Sequence, residues 1–283
     1  MPILDINNMT LVSSSEKKQR GIDPFLKVYR YQEDLYIIKP QKRDYYTDFN
    51  ELFCQYLTPR FNLENAEYCY IRDNGNFLNE NDQFDNYHNN GRLLLTTKNF
   101  KKLGYAYQHL SELKLKGKNF NDQYNSLGST EKIEAMEQYF SNLERYQLFM
   151  NQLISLLAFD YYTNQIDRAT SNMMFVSENA KLFKDFTISP IYDNERSFDF
   201  DNMLRIRSHF YNGELYDDVF LDLIDKYPKG LAAFRSILDI NIEEYITMFE
   251  STCYASLLDD YKKDHIKKID DHAKAFVLKY IGR

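Results

Sequence analysis

Three polar residues, Asp167, Asn172 and Asp193, carry most of the chemical content of this sequence. An acid is followed five residues later by an amide, and a second acid comes twenty-one residues after that. A long apolar helical pattern runs into Asp167. A short apolar run at 173–176 leaves Asn172, and a second at 186–192 ends in Asp193. Carboxylate, amide and carboxylate placed at strand ends and in a loop match the needs of phosphoryl transfer. One acid orients an attacking hydroxyl, while the amide and the second acid offer hard oxygen donors to Mg²⁺.

Phosphoryl transfer also needs charge neutralised on the leaving phosphates. Lys39 closes the run Leu35-Tyr36-Ile37-Ile38-Lys39; pointing inward from a strand end, it would reach the α- and β-phosphates of a nucleotide. Glu51, on the next expected helix, would pair with Lys39 and hold its ammonium in place. Each residue also has an ordinary structural role: Lys39 as an exposed strand end, Glu51 on a polar helix face, Asp167 in a turn, Asn172 at a strand entry, Asp193 opening an Asx-turn before Asn194. Those roles weaken as explanations when lysine, glutamate, acid, amide and acid come one after another in the order that phosphoryl transfer requires.

The elements that must position these residues are legible from periodicity. Residues 25–31 and 35–38 are β-prone and joined by the polar Gln32-Glu33-Asp34, which predicts a hairpin. Phe49, Leu52, Phe53, Tyr56 and Leu57 recur at helical spacing within 47–57, and Pro59 ends the pattern. Strands are expected at 67–72 and 93–97, with the Asn- and Asp-rich 73–91 as a surface loop between them. From Thr130 an apolar stripe from Ile133 to Leu157 predicts a single helix of about 30 residues, or ~45 Å. Ser129 or Thr130 would cap it, with Glu131 in its first turn. Further helices are expected at 215–227, 231–238, 242–257 and 265–280. The expected architecture is α+β with two lobes: a β-rich nucleotide-binding lobe with one helix over 1–100, and a helical lobe with the catalytic and metal-binding loops over 101–283.

Composition narrows the function classes. The chain has 283 residues, enough for a sizeable core, with 24 Tyr, 21 Phe and no Trp, so aromatic rings must fill much of it. A formal charge of −7 argues against a polyanionic ligand, and hence against direct nucleic-acid binding. Cys54, Cys69 and Cys253 are odd in number and far apart, which suits reduced, buried thiols in a cytoplasmic protein better than disulfides or zinc. No window approaches the ~20 apolar residues of a membrane span.

The segment FDYYTNQIDRATSNMMFV followed by ISPIYDNERSF resembles the catalytic and metal-binding loops of HipA-like Ser/Thr protein kinases, relatives of the phosphoinositide kinases. Asp167, Arg168 and Asn172 match the family's Asp-Arg-His-x-x-Asn loop, and Pro190-Ile191-Tyr192-Asp193 matches its metal-aspartate segment. Leu35–Lys39 is similar to the nucleotide-lysine strand and Asn50-Glu51 to the start of the helix after it. Ser13-Ser14-Ser15 is loosely similar to a phosphate-covering loop. The resemblance spans roughly 10–200. It implies a two-lobed protein-kinase-like fold, ATP and Mg²⁺ as cofactors, Asp167 acting on the substrate hydroxyl, Asn172 and Asp193 on metal, and Lys39, Glu51, Ser14 and Ser15 toward the nucleotide. It further implies a protein substrate and a regulatory, antitoxin-like partner protein.

Three departures bear on activity. Ala169 stands where the family has a His that braces the loop, Gln165 where it has Asn, and Asn164 where it has Gly. Asn tolerates the left-handed backbone a Gly would adopt. Loss of the His keeps alive a second reading, a catalytically weak pseudokinase that binds nucleotide or a partner. Asp270-Asp271-His272 resembles the catalytic motif superficially, but Ala275 replaces the required Asn and the surrounding pattern is helical, so it is rejected as a site. Lipid phosphorylation finds no membrane-docking helix to support it. Autophosphorylation at Ser13, Ser14 or Ser15 would repel the phosphates of ATP.

Overall fold

The computed structural model describes residues 3–14, 27–38, 45–72, 93–115, 118–120, 122, 127–141, 145–178, 186–198, 216–227 and 231–282. Lys39 and Ser15 lie outside the described residues, as does the expected loop 73–91. Of Ser14 only the backbone is described.

Six strands form one sheet: β1 (Leu4–Asp5), β2 (Thr10–Ser14), β3 (Lys27–Tyr31), β4 (Asp34–Ile38), β5 (Tyr68–Arg72) and β6 (Leu93–Lys98), in the order β1-β5-β6-β4-β3-β2. The expected hairpin is β3/β4, paired antiparallel from Lys27↔Ile38 to Tyr31↔Asp34. Ile6, Tyr29, Ile38, Ile71 and Leu94 make a small apolar core on this sheet.

Helix α1 (Tyr45–Leu57) connects the sheet to the rest of the molecule. Its apolar stripe does not close on the sheet alone. Phe49 and Phe53 stack 5.1 Å apart and meet Phe249 edge-on at 5.2 and 5.6 Å. Pro59 then begins a turn that ends at Asn62 in the left-handed conformation.

The helical half contains α2 (Ser129–Phe140), α3 (Tyr146–Thr163), α4 (Tyr216–Lys226), α5 (Leu231–Arg235), α6 (Ile242–Glu250) and α7 (Asp260–Ile281). Ahead of α2 come β7 (Ala106–His109) and a ribbon of β8 (Lys114–Leu115) and β9 (Lys118–Asn119). With β10 (Met174–Ser177) and β11 (Phe186–Ile188), β7 forms a small sheet in the order β11-β10-β7. One continuous apolar core runs from α1 through α3 to α7.

The structure corrects the single long helix from Thr130 onward, which is two. Within one helix, residues nine apart would be separated by about 13.5 Å along the axis. Instead the Phe140 and Phe149 rings meet with centroids 4.5 Å apart, because the first helix ends at Phe140 and a second begins at Tyr146 in a different direction. Ser141 at the break bonds its hydroxyl to the Gln138 carbonyl, the local competition that disfavours helix continuation. The cap is Gly128 rather than Ser129 or Thr130, and its N–H donates to the Glu131 carboxylate at 3.0 Å. Cys253 is a second correction: Cys54 and Cys69 are buried thiols, but Cys253 is exposed.

Candidate active site

Helix α3 delivers the first loop. From Leu153 to its end it is buried on every side, so its direction is set by packing all round. It stops at Asn164, whose left-handed φ of 49° and ψ of 48° let its N–H reach back to the Asp160 and Tyr161 carbonyls. Asn164 thus takes the conformation that the Gly-to-Asn departure requires. The chain emerges with Asp167 exposed and Arg168 fully buried.

Arg168 ties the two loops to the helix. Its Nε donates to both Asp160 oxygens at 3.2 and 3.0 Å and its Nη2 to Asp160 Oδ1 at 2.8 Å. The same guanidinium donates to the Tyr192 carbonyl at 3.1 Å and to Asn194 Oδ1 at 2.8 Å. One planar fork therefore joins α3, the Asp167 loop and the residues flanking Asp193, the geometry for which arginine is suited. Gln165 adds a second clamp: its amide donates to the Asp193 carbonyl at 3.2 Å, and its oxygen accepts from the Asp167 N–H at 3.1 Å.

The second loop is held from the small lobe as well. Asp193 has φ of 61°, a left-handed conformation that Asp tolerates better than most side chains. Its N–H donates to the Tyr68 hydroxyl at 3.0 Å, and the Asn194 N–H donates to Glu51 Oε2 at 2.8 Å. Tyr68 also hydrogen-bonds Glu51, and burial first, then the Glu51 charge, push its phenol well above its ordinary range. The hydroxyl therefore keeps its proton to donate while accepting from Asp193. Asn50 donates to the Glu195 carbonyl at 2.8 Å, and Ile191 bridges Asn65 in parallel fashion.

These contacts gather Glu51, Asp193 and Glu195 so that one carboxylate oxygen from each lies within 4.8 Å of the others. Glu51 is 1% exposed. Converging carboxylates in a half-buried site favour a bound cation, and an all-oxygen donor set suits a hard divalent ion such as Mg²⁺. Asn172 ends a short turn (Thr170–Asn172) ahead of β10, and that turn is fastened to the Asp193 segment by the Tyr192 hydroxyl, which donates to the Ser171 carbonyl at 2.9 Å.

The structure thus brings Glu51 and Asp193 together and ties the loops of Asp167 and Asn172 to the same segment. Sequence reasoning missed Glu195, whose one signal was the Asp-x-Glu spacing from Asp193. It also missed the work of Arg168. The clue there was Asp160, a charge inside the apolar run of α3 that burial obliges to pair. Asp270 accepts from the Tyr162 hydroxyl and from Lys274, both at 2.8 Å, on the buried side of α7.

A groove of about 750 Å³ lies elsewhere, between the β3/β4 turn, residues 62–67, the segment 98–107 and β10/β11. None of Glu51, Asp167, Asn172 or Asp193 lines it. Its Lys98 pairs with Asp34 at 2.8 Å and lies 3.8 Å from Glu67.

No protein-family model and no curated protein sequence matches the chain. Solved structures do. A proinflammatory kinase of Helicobacter pylori, CtkA, superposes with a TM-score of 0.60 at 12% identity, covering 99% of this chain and 97% of that one. A Golgi casein kinase superposes with a TM-score of 0.52 at 13% identity over 96% and 76%. HipA, from the Shewanella oneidensis MR-1 complex with HipB and operator DNA, gives 0.43 at 11% identity over 97% and 64%. At these identities the likeness is one of fold. The chain has the two-lobed α+β kinase fold over nearly its whole length, as the HipA-like resemblance implied. No helix among the described residues is long and apolar enough to cross a membrane.

Proposed function

We propose that the chain transfers the γ-phosphoryl group of ATP to a Ser or Thr hydroxyl of a protein substrate. The observation that supports this reading most is the Gln165 side chain, which hydrogen-bonds the backbones of both Asp167 and Asp193. Two acids far apart along the chain are thereby held by one amide. In the reaction the hydroxyl oxygen bonds to the γ-phosphorus, the bond from that phosphorus to the bridging oxygen of ADP breaks, and the hydroxyl proton is oriented and accepted by Asp167. Exposure of Asp167 leaves it open to an incoming hydroxyl.

Asn172 and Asp193 would hold Mg²⁺, whose charge offsets that of the phosphates when bound. Lys39 would contact the phosphates, with Ser14 and Ser15 over them and Glu51 steadying the lysine. Glu51 is suited to that task, since its position is fixed by the Asn194 N–H and the Tyr68 hydroxyl. Arg168 and Gln165 supply the bracing that Ala169 lacks, which favours an active enzyme over a pseudokinase.

Transfer from γ-labelled ATP is the test. Asp167→Asn should lower the rate about a hundredfold or more, as loss of a positioned base does, and Asp193→Asn, tolerated in the left-handed conformation, should raise the Mg²⁺ concentration needed for half-maximal transfer. Equal label with wild type and Asp167→Asn would leave only a binding module. Autophosphorylation at Ser13, Ser14 or Ser15 belongs to the same reading; mass spectrometry after incubation with ATP, finding no phosphate there, removes it.

A further inference from the structure

We infer that His109 is a positioning residue of this site, holding the Asn172 turn and the Asp193 segment in register; the inference rests on the phosphoryl-transfer reading above. His109 ends β7, which pairs antiparallel with β10 so that His109 lies opposite Met174. That register sets its ring beside the turn preceding β10. Its Nδ1 is 2.6 Å from the Ser171 carbonyl oxygen and 3.2 Å from the Tyr192 hydroxyl, and that hydroxyl is 2.9 Å from the same carbonyl.

A carbonyl oxygen only accepts, so a nitrogen 2.6 Å away must bring the proton, and Nδ1 is the protonated nitrogen. The Tyr192 hydroxyl donates to the same oxygen, so the carbonyl of Ser171 receives two donors, one for each lone pair. Ser171 directly precedes Asn172, and Tyr192 directly precedes Asp193. The three-membered contact therefore fixes the residues just ahead of both proposed metal ligands, where displacements of about 1 Å are costly to a reaction. Phe100 lies against Tyr192 with ring centroids 5.9 Å apart and limits the movement of the phenol. Within the catalytic loop itself, Ala169 has no side-chain donor for this purpose, so the imidazole arrives from a different strand.

The test uses the full chain with His109→Ala, His109→Asn and Tyr192→Phe. His109→Ala should lower kcat by at least about tenfold while KM for ATP moves less than about threefold, the pattern of lost positioning rather than lost binding. His109→Asn, whose amide N–H replaces Nδ1–H, should restore most of the rate, and Tyr192→Phe should lower kcat in the same direction as His109→Ala. Nitrogen-15 NMR of the imidazole should find the proton on Nδ1. An unchanged kcat in an active His109→Ala, an asparagine variant as impaired as the alanine one, or a bare Nδ1 would each overturn the inference while leaving the phosphoryl-transfer reading intact. A wild-type chain without Asp167-dependent transfer would instead remove that reading, and this inference with it.

Discussion

Arg168 and Asp160 form an ion pair with neither side chain reaching solvent, Nη2 lying 2.8 Å from Oδ1. A charged pair this deep is not there for net stability alone, since desolvating both ions offsets much of their attraction. Its value lies in the three segments that Arg168 ties together: helix α3, the Asp167 loop and the Asp193 loop.

Breaking that pair from one side leaves a buried charge without compensation. Arg168→Met should cost about 3–5 kcal/mol of stability, and Asp160→Asn should also destabilise. The double variant Arg168→Met/Asp160→Asn should be milder than the sum of the two. Urea unfolding of all four proteins in a double-mutant cycle measures the coupling, and additive losses would contradict it.

Gln165 should separate positioning from folding. Gln165→Ala removes the bonds to the Asp193 carbonyl and the Asp167 N–H, so kcat should fall roughly tenfold or more with about 1–2 kcal/mol of stability lost. Gln165→Glu keeps an acceptor for Asp167 but sets a buried carboxylate against the Asp193 carbonyl, and should be more impaired than alanine. Steady-state kinetics beside thermal melts decide this.

Stability should decline on the alkaline side. Burial raises the phenols of Tyr68, Tyr161, Tyr162 and Tyr192, and lifts Tyr146 to about 12 with help from Glu137. The folded protein keeps these protons where the unfolded chain, titrating near 10, releases them. The unfolded state then binds fewer protons, so unfolding free energy falls as pH rises from about 9.5 toward 12. Urea midpoints across that window, with tyrosinate absorbance as a second readout, test the direction.

The cysteines should differ sharply in reactivity. Burial raises the Cys69 thiol to about 11 and the Cys54 thiol further still, while Cys253 is exposed. Iodoacetamide at a pH of about 8 should modify Cys253 quickly in the native protein, with Cys54 and Cys69 reacting only after denaturation. Peptide mapping identifies the order.

Local pattern was enough for much of this molecule. The hairpin of β3 and β4, helix α1 up to Pro59, and β5 and β6 are read from alternation, helical spacing and a proline. The left-handed Asn164 is read from what its side chain tolerates. The order of Asp167, Asn172 and Asp193 was equally visible, because loops that end strands and helices announce themselves by the apolar runs around them.

What sequence could not supply was the consequence of a change in chain direction. The break between α2 and α3 brings Phe140 against Phe149, a contact that exists only once the chain has changed direction between the two helices. Glu195 joins Glu51 because Asp193 adopts a left-handed turn pinned by Tyr68, and His109 meets Ser171 through the pairing of β7 with β10. Periodicity records which face of an element is apolar, while the meeting of side chains from distant segments depends on how those faces are packed. Chemistry by residue type was therefore written along the chain, and the partners that aim it were decided by tertiary contact.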